Sequence, residues 1–468
     1  MRAVAVSDAR SPVTREWGTW VTVALLSAVI SIGIVVGSPT LSAGGAILAI
    51  AASLMAPMVG LMVLAFVAPL LWAPVLPTPG LTMMLAGATL LGAIFRLPLE
   101  RPRLTVHPLL VVVMSFVIFV FVRQLPSLLG GYQTPQEYFT GALMIKLVTA
   151  LLVIMAGSIV LKDRSPYPVM ASLLAAAVLV VIVALTETGE PGLLGNLVAR
   201  SSEISGRSSG PFTDPNEFGL YVAGALTLAI GWLLARPSRW TRLLLVAVSL
   251  VLGWGLIASM SRTGLAAAAA GIVTLAFSRS RRTGFAVLGA LIVVGLLLYP
   301  LLIQARVANS TGAATESQLV AQVGLEQSDA SRLAFVLSGP RVFLSAPLFG
   351  IGLGAFIFET GHSAHNYYMT VAAEQGIVGF ILWMAMLIGG IATLSRRPPV
   401  PRAVGLAVML VFVVGSLFLN PPEEEQSLLF FVIVFVAALV ADWRTGAADG
   451  RSIERPGARV ARPSRALT

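Results

Sequence analysis

Apolar and polar positions fall in blocks along this chain. Long apolar runs recur from Trp17 to Ala441, each closed by charged residues or by Pro and Gly. They lie near 20–37, 41–56, 57–76, 81–97, 106–125, 140–161 and 167–186, and again near 215–235, 239–258, 263–278, 284–303, 367–394, 402–419 and 426–442. A helix of roughly 20 apolar residues crosses a hydrocarbon layer of about 30 Å, and a helix satisfies its own backbone there. The pattern predicts an all-α fold: a polytopic integral membrane protein with about 12 to 14 transmembrane helices. Residues Met1–Glu16 are polar and no small-residue cleavage site follows them, so Trp20–Gly37 reads as a retained span and not as a signal peptide.

Composition agrees with that reading. Hydrophobic residues make up 57% of the 468-residue chain and charged residues only 11%, against roughly 25% charged in soluble domains. Cysteine is absent, which excludes disulfides, thiolate catalysis and cysteine metal sites. The formal net charge of +10 is assigned to cytoplasmic anchoring of the spans; nucleic acid is not an expected partner, whereas membrane lipids are. The excess of Arg over Lys, with abundant Ala and Gly, hints at a GC-rich bacterial genome.

Charge then sets the topology. With 1–19 in the cytoplasm, every second connection is basic: Arg101 and Arg103; Lys162 and Arg164; Arg236, Arg239 and Arg242; Arg279, Arg281 and Arg282; Arg396, Arg397 and Arg402. The basic tail, 443–468, is also placed inside. Reading 41–76 as one span would flip this parity, so it is expected to be a hairpin or a re-entrant pair. The N-terminal helices occupy 20–186, and a central group occupies 187–303 with an outer loop at 187–213. A long extracytoplasmic loop follows at 304–364, and C-terminal helices fill 365–442. Within the long loop, Ala330–Leu344 is patterned as a short amphipathic helix, although Gly339 and Pro340 are expected to break or kink it.

Several arginines sit on the predicted outer side against the charge rule, notably Arg207, Arg262, Arg332 and Arg341. Arg262 lies in a turn of a few residues, where a charge needs water or a partner. An anionic ligand would serve, since guanidinium donors match phosphate oxygens. Snorkelling, or pairing with Asp214 or Glu217, would serve equally. Arg207 opens the polar stretch Arg207–Glu217, in which Asp214 or Thr213 can cap the next helix and Pro215 can begin it; a helix N-terminus beside Arg207 suits a phosphate. Pro347–Phe356 superficially suggests a nucleotide-binding glycine loop, but its spacing is wrong and no strand precedes it. Tight turns or close backbone approach explain its glycines better.

His365-Asn366 stands at the mouth of the span that begins near 367, followed after nine residues by Gly376-Ile377-Val378-Gly379. Neutral imidazole can take a proton from a hydroxyl near pH 7, and a plain helix-start role is the alternative. Glu359, His362 and His365 have helical spacing, but Gly361 between them argues against a metal site, and none is expected.

Together, Arg207 with Gly210–Asn216, Ser261-Arg262-Thr263, Arg332, Pro347–Phe356 and the His365-Asn366…Gly376…Gly379 pattern resemble the O-antigen ligase and polymerase superfamily over about 200–390. The resemblance implies a glycosyltransferase of the bacterial cytoplasmic membrane, with both termini inside and the active site outward. Its donor would be a glycan on undecaprenyl diphosphate, and its acceptor a glycan, lipid or protein hydroxyl. Neither a cofactor nor a metal is implied. Arg207, Arg262 and Arg332 would hold the diphosphate, and His365 would activate the acceptor. Asp214, Asn216, Asn366, Arg341 and Glu374 are supporting candidates. A polymerase that extends the lipid-linked glycan is the nearest alternative. A lipid-linked oligosaccharide transporter is the next, with Lys146 as its best intramembrane charge.

Overall fold

The computed structural model of the chain describes residues 12–70, 80–100, 108–129, 131, 134–186, 207–235, 237–310, 338–361 and 363–443. Among these the regular elements are all helical. In chain order they begin with α1 (Pro12–Val35), α2 (Pro39–Met55), α3 (Pro57–Val67), α4 (Leu81–Glu100), α5 (Pro108–Leu129), α6 (Pro135–Val160), α7 (Tyr167–Leu185) and α8 (Pro215–Leu233). The series continues with α9 (Arg239–Ala258), α10 (Arg262–Arg279), α11 (Arg281–Ser310), α12 (Ala355–Thr360), α13 (Tyr367–Ser395), α14 (Pro399–Ser416) and α15 (Glu425–Val440). Each of the fourteen apolar segments overlaps one of these helices, with 71–76 and 106–107 outside the described residues.

Local chemistry explains where they start. Proline opens α2, α3, α6, α8 and α14, a position whose N–H has no intrahelical partner anyway. Side chains of Ser38, Thr134, Asp214, Ser238, Ser261 and Asn366 cap their helices, and Thr134 with Glu137 forms a reciprocal capping box. The doubtful run 41–76 breaks at Ala56 (φ −144°, ψ 83°), directly before Pro57. Two helices result, in keeping with the charge parity.

Packing centres on α8, which lies against α7, α9, α10, α14 and α15. Its residues from Glu217 to Ala229 are buried without a gap, as expected of a helix apolar on all sides. Small residues permit the closest crossing: a Cβ on Gly264 of α10 would lie 2.7 Å from the Gly219 carbonyl carbon, and one on Gly219 would lie 2.5 Å from Ser261 Cβ. Close approach of this kind is how helices associate where lipid removes the hydrophobic drive.

The periphery is apolar as well. On α9, Leu243, Leu244, Leu250, Trp254 and Ile257 are exposed, and on α11 so are Ile292, Val293, Val294, Leu296 and Leu297. Continuous apolar surface on this scale belongs against lipid and not against water. Among the described residues six helices, α5, α6, α7, α9, α13 and α14, are long and apolar enough to cross a membrane, and further apolar helices are shorter. The chain is an all-α polytopic membrane protein.

Candidate active site

The first corner of the site forms where α8 and α10 begin. Asp214 caps α8 by accepting from the Asn216 amide at 2.7 Å, and it also accepts from Asn216 Nδ2 at 2.9 Å. That double contact aims Asn216 Oδ1 at Arg207, whose Nη2 donates to it at 2.9 Å. Arg207 Nε donates to the Ser259 carbonyl at 3.0 Å. Two bonds on different nitrogens fix the plane of the guanidinium, and they fix it beside the α9–α10 turn. Arg262 is the first residue of α10, after the N-cap Ser261. Arg207, Asp214, Asn216 and Arg262 therefore belong to one half-buried corner at two adjoining helix N-termini, an electropositive arrangement.

The second corner is built on a break in α13. Gly376 has φ 64° and ψ −169°, in a region that essentially only glycine occupies. In an unbroken helix the amides of Ile377 and Val378 would bond to the carbonyls of Ala373 and Glu374. Here they bond to Pro347 (2.9 Å) and Leu348 (3.3 Å), while Ala373 and Glu374 accept from Ile351 (3.0 Å) and Gly352 (2.9 Å). The glycine-rich loop is thus spliced into the helix, and all four groups remain paired. A Cβ on Gly350 would lie 2.2 Å from the Glu374 carbonyl carbon, so close backbone approach, as the sequence reading holds, is what the glycines serve. Arg123 Nη2 donates to Gly350 O at 2.8 Å and Thr140 Oγ1 to Leu353 O at 2.8 Å. The buried Glu374 carboxylate accepts the amides of Gly354 (2.9 Å) and Phe356 (3.1 Å), which caps α12.

Above this splice, His365 takes a left-handed backbone conformation, φ 48°, and Asn366 caps α13 by accepting from the Met369 amide at 3.1 Å. The stretch 338–345 is helical, with Gly339 and Pro340 inside it. The part of the expected amphipathic helix at 330–337 lies outside the described residues. Val342 packs beside Phe356, Ala364 and Ala373, whereas Arg341 is exposed. Glu359 belongs to α12, which ends at Gly361 (φ 75°), so Glu359 and His365 do not share a helical face. Arg332 and His362 lie outside the described residues.

A third element joins the corners: the turn from Leu417 to Glu425 between α14 and α15. Thr213 Oγ1, six residues from Arg207, donates to Glu424 Oε1 at 3.0 Å. On the other side, Asn420 bonds to Ser363 and Thr370, which flank His365. Lys146 of α6 donates to the Glu423 carbonyl and Thr82 of α4 to Glu425 Oε1. In the sequence, Asn420–Glu425 reads only as a short acidic turn on the outer side. Three successive glutamates after an apolar run, together with a lysine inside another run, were the available signal.

Burial pushes the Glu423 carboxyl up to about 7, and Glu424 adds to the rise, while the Asn420 bond and Lys146 oppose it. Glu424 is raised mainly by burial too. A carboxyl whose folded pKa exceeds its ordinary 4.5 gains a proton on folding. Its contribution to stability therefore falls as pH rises from about 4.5 to about 7 and levels off above. Glu423→Gln is expected to flatten the thermal midpoint across that window. A slope unchanged from wild type would mean that Glu423 does not titrate there.

Residues 247–384 match the family model described as O-antigen ligase, and no curated protein matches the chain. The matched segment runs from α9 into α13 and holds Arg262, His365, Asn366, Glu374, Gly376 and Gly379; Arg207 and Asn420 lie outside it. Over that segment the chain resembles the O-antigen ligases, the family to which the pattern around His365 and Gly376 pointed.

Proposed function

We propose that the protein transfers a glycan from undecaprenyl diphosphate to an acceptor hydroxyl at the outer face of the bacterial cytoplasmic membrane. The observation that carries this reading is the Leu417–Glu425 turn, which bonds on one side to Thr213, beside the Arg207 corner, and on the other to Ser363 and Thr370, on the flanks of His365. The O-antigen ligase match supports a membrane glycan-processing ligase or polymerase. Arg207 and Arg262, with Arg332 from the long loop, take the diphosphate. His365 accepts the proton of the acceptor hydroxyl, whose oxygen attacks the anomeric carbon. The bond to the diphosphate breaks, configuration inverts, and the departing lipid diphosphate carries the electron pair. Guanidinium groups stabilise the charge that grows on it.

The direct test incubates purified protein with an undecaprenyl-diphosphate glycan and candidate acceptors, without nucleotide or added metal. Label appearing on a new acceptor supports the ligase. Chain growth on the lipid supports the polymerase, and absence of covalent turnover with every acceptor rejects both. Lys146 distinguishes the transporter: its partner is the Glu423 carbonyl, and Lys146→Ala is expected to affect transfer far less than changes at His365. In the same assay Arg207→Ala should lower kcat/KM by about 10²-fold, the usual effect of losing one donor to a developing anion, with partial recovery in Arg207→Lys. Equal rates for all three would remove Arg207 from the site.

A further inference from the structure

The pattern around His365 does not explain how that residue is held. A non-glycine residue at φ 48° persists only where its surroundings over-determine it. Those surroundings come largely from one element. Two residues before His365, Ser363 Oγ accepts from Asn420 Nδ2 at 3.2 Å. One residue after it, Asn366 Nδ2 donates to the Leu417 carbonyl at 3.1 Å. Five residues after it, Thr370 Oγ1 donates to Asn420 Oδ1 at 3.3 Å.

Asn420 is itself fixed. It is 7% exposed, and its Nδ2 also donates to Glu423 Oε1 at 2.9 Å. Its backbone amide bonds to the buried Glu217 carboxylate. Both amide protons and the carbonyl oxygen of the side chain are therefore engaged, two of the three contacts reaching the segment that carries His365. Glu423 is tied in turn through its carbonyl to Lys146. Bonds made on both sides of a strained residue restrict the direction in which its imidazole can lie, which is the task of supporting groups around a reacting one.

We infer that Asn420, although outside the matched segment, is a positioning residue that sets the orientation of His365. The inference rests on the reading of His365 as the general base. An amide suits the task because it donates to Ser363 and accepts from Thr370 at once. Aspartate has the same shape but no donor, and it would set a second carboxylate against Glu423.

The test is a double-mutant cycle on the full-length protein in detergent, measuring glycan transfer from the lipid-linked donor. Asn420→Ala and Asn420→Asp should each lower kcat about 10- to 100-fold with the donor KM unchanged, because the arginine corner is untouched. In a His365→Ala background, Asn420→Ala should cost almost nothing further, since a residue acting through His365 has no effect once that side chain is gone. A raised KM with normal kcat, or a full additional loss in the double variant, overturns the inference while leaving His365 as the base. Undiminished turnover in His365→Ala alone overturns the general-base reading, and this inference with it. Should Asn420→Ala not fold, Thr370→Val removes the tie to Asn420, and with it the hydroxyl bond to the Asn366 carbonyl, at constant volume, and the same split between kcat and KM applies.

Discussion

Replacing His365 with alanine is expected to lower kcat for glycan transfer by about 10²- to 10⁴-fold, the range contributed by a positioned general base. The donor KM should change little, because Arg207 is held by Asn216 and Ser259, and Arg262 stands in the first turn of α10. Folding should also survive. His365 is half-buried, Asn366 caps α13, and alanine leaves in place the Ser363, Asn366 and Thr370 side chains that the Leu417–Asn420 turn grips. The measurement is the initial rate with saturating lipid-linked glycan, alongside a melting curve. A variant that folds normally and turns over at the wild-type rate would remove His365 from the chemistry.

Gly376→Ala is expected to be among the most damaging small substitutions in the described residues. The added Cβ would lie 2.4 Å from the carbonyl carbon and oxygen of Leu348, both backbone atoms that cannot swing aside. The conformation itself, φ 64° and ψ −169°, is one that an L side chain avoids. Relief by straightening α13 would return Ile377 and Val378 to intrahelical partners but strip the amides of Ile351 and Gly352 of their acceptors. Each outcome costs several interactions together, so a loss above about 4 kcal/mol is expected, read as failure to purify a monodisperse protein or as a collapsed melting midpoint. Gly289→Ala in α11 is the control. Nothing lies within 4 Å of its added Cβ, and alanine should be neutral or stabilise the helix by up to about 1 kcal/mol. Similar behaviour in the two variants would refute the spliced-loop account.

Helix positions were legible in the sequence because the hydrophobic blocks and the Pro, Ser and Asp starts are local signals. Asp214 illustrates this: its capping role follows from Asp-Pro before an apolar run, and the structure contains it. The spacing between His365 and Gly376 was legible as a pattern but not as a mechanism, since the need for glycine at 376 arises from Leu348, a residue on a separate loop. Least legible was the Leu417–Glu425 turn. Its partners Lys146, Thr213 and Thr82 lie 277, 211 and 343 residues from the groups they meet. No periodicity or local spacing encodes such pairings; only the cost of leaving Lys146 unpaired among apolar neighbours hinted at them.

The crossing of Gly219 and Gly264 has a bearing on ligand capture. Because the α8 and α10 backbones touch there, the Asn216 end of one helix and the Arg262 end of the other cannot separate without opening the centre of the bundle. The arginine corner is consequently a rigid bracket whose ordering is completed during folding, so under the proposed function a lipid diphosphate would meet donors already in place and forfeit little affinity to rearrangement. Slow amide exchange at Phe218–Tyr221, matched by Leu265–Ala268 and persisting whether or not a lipid diphosphate is added, is the expected signature.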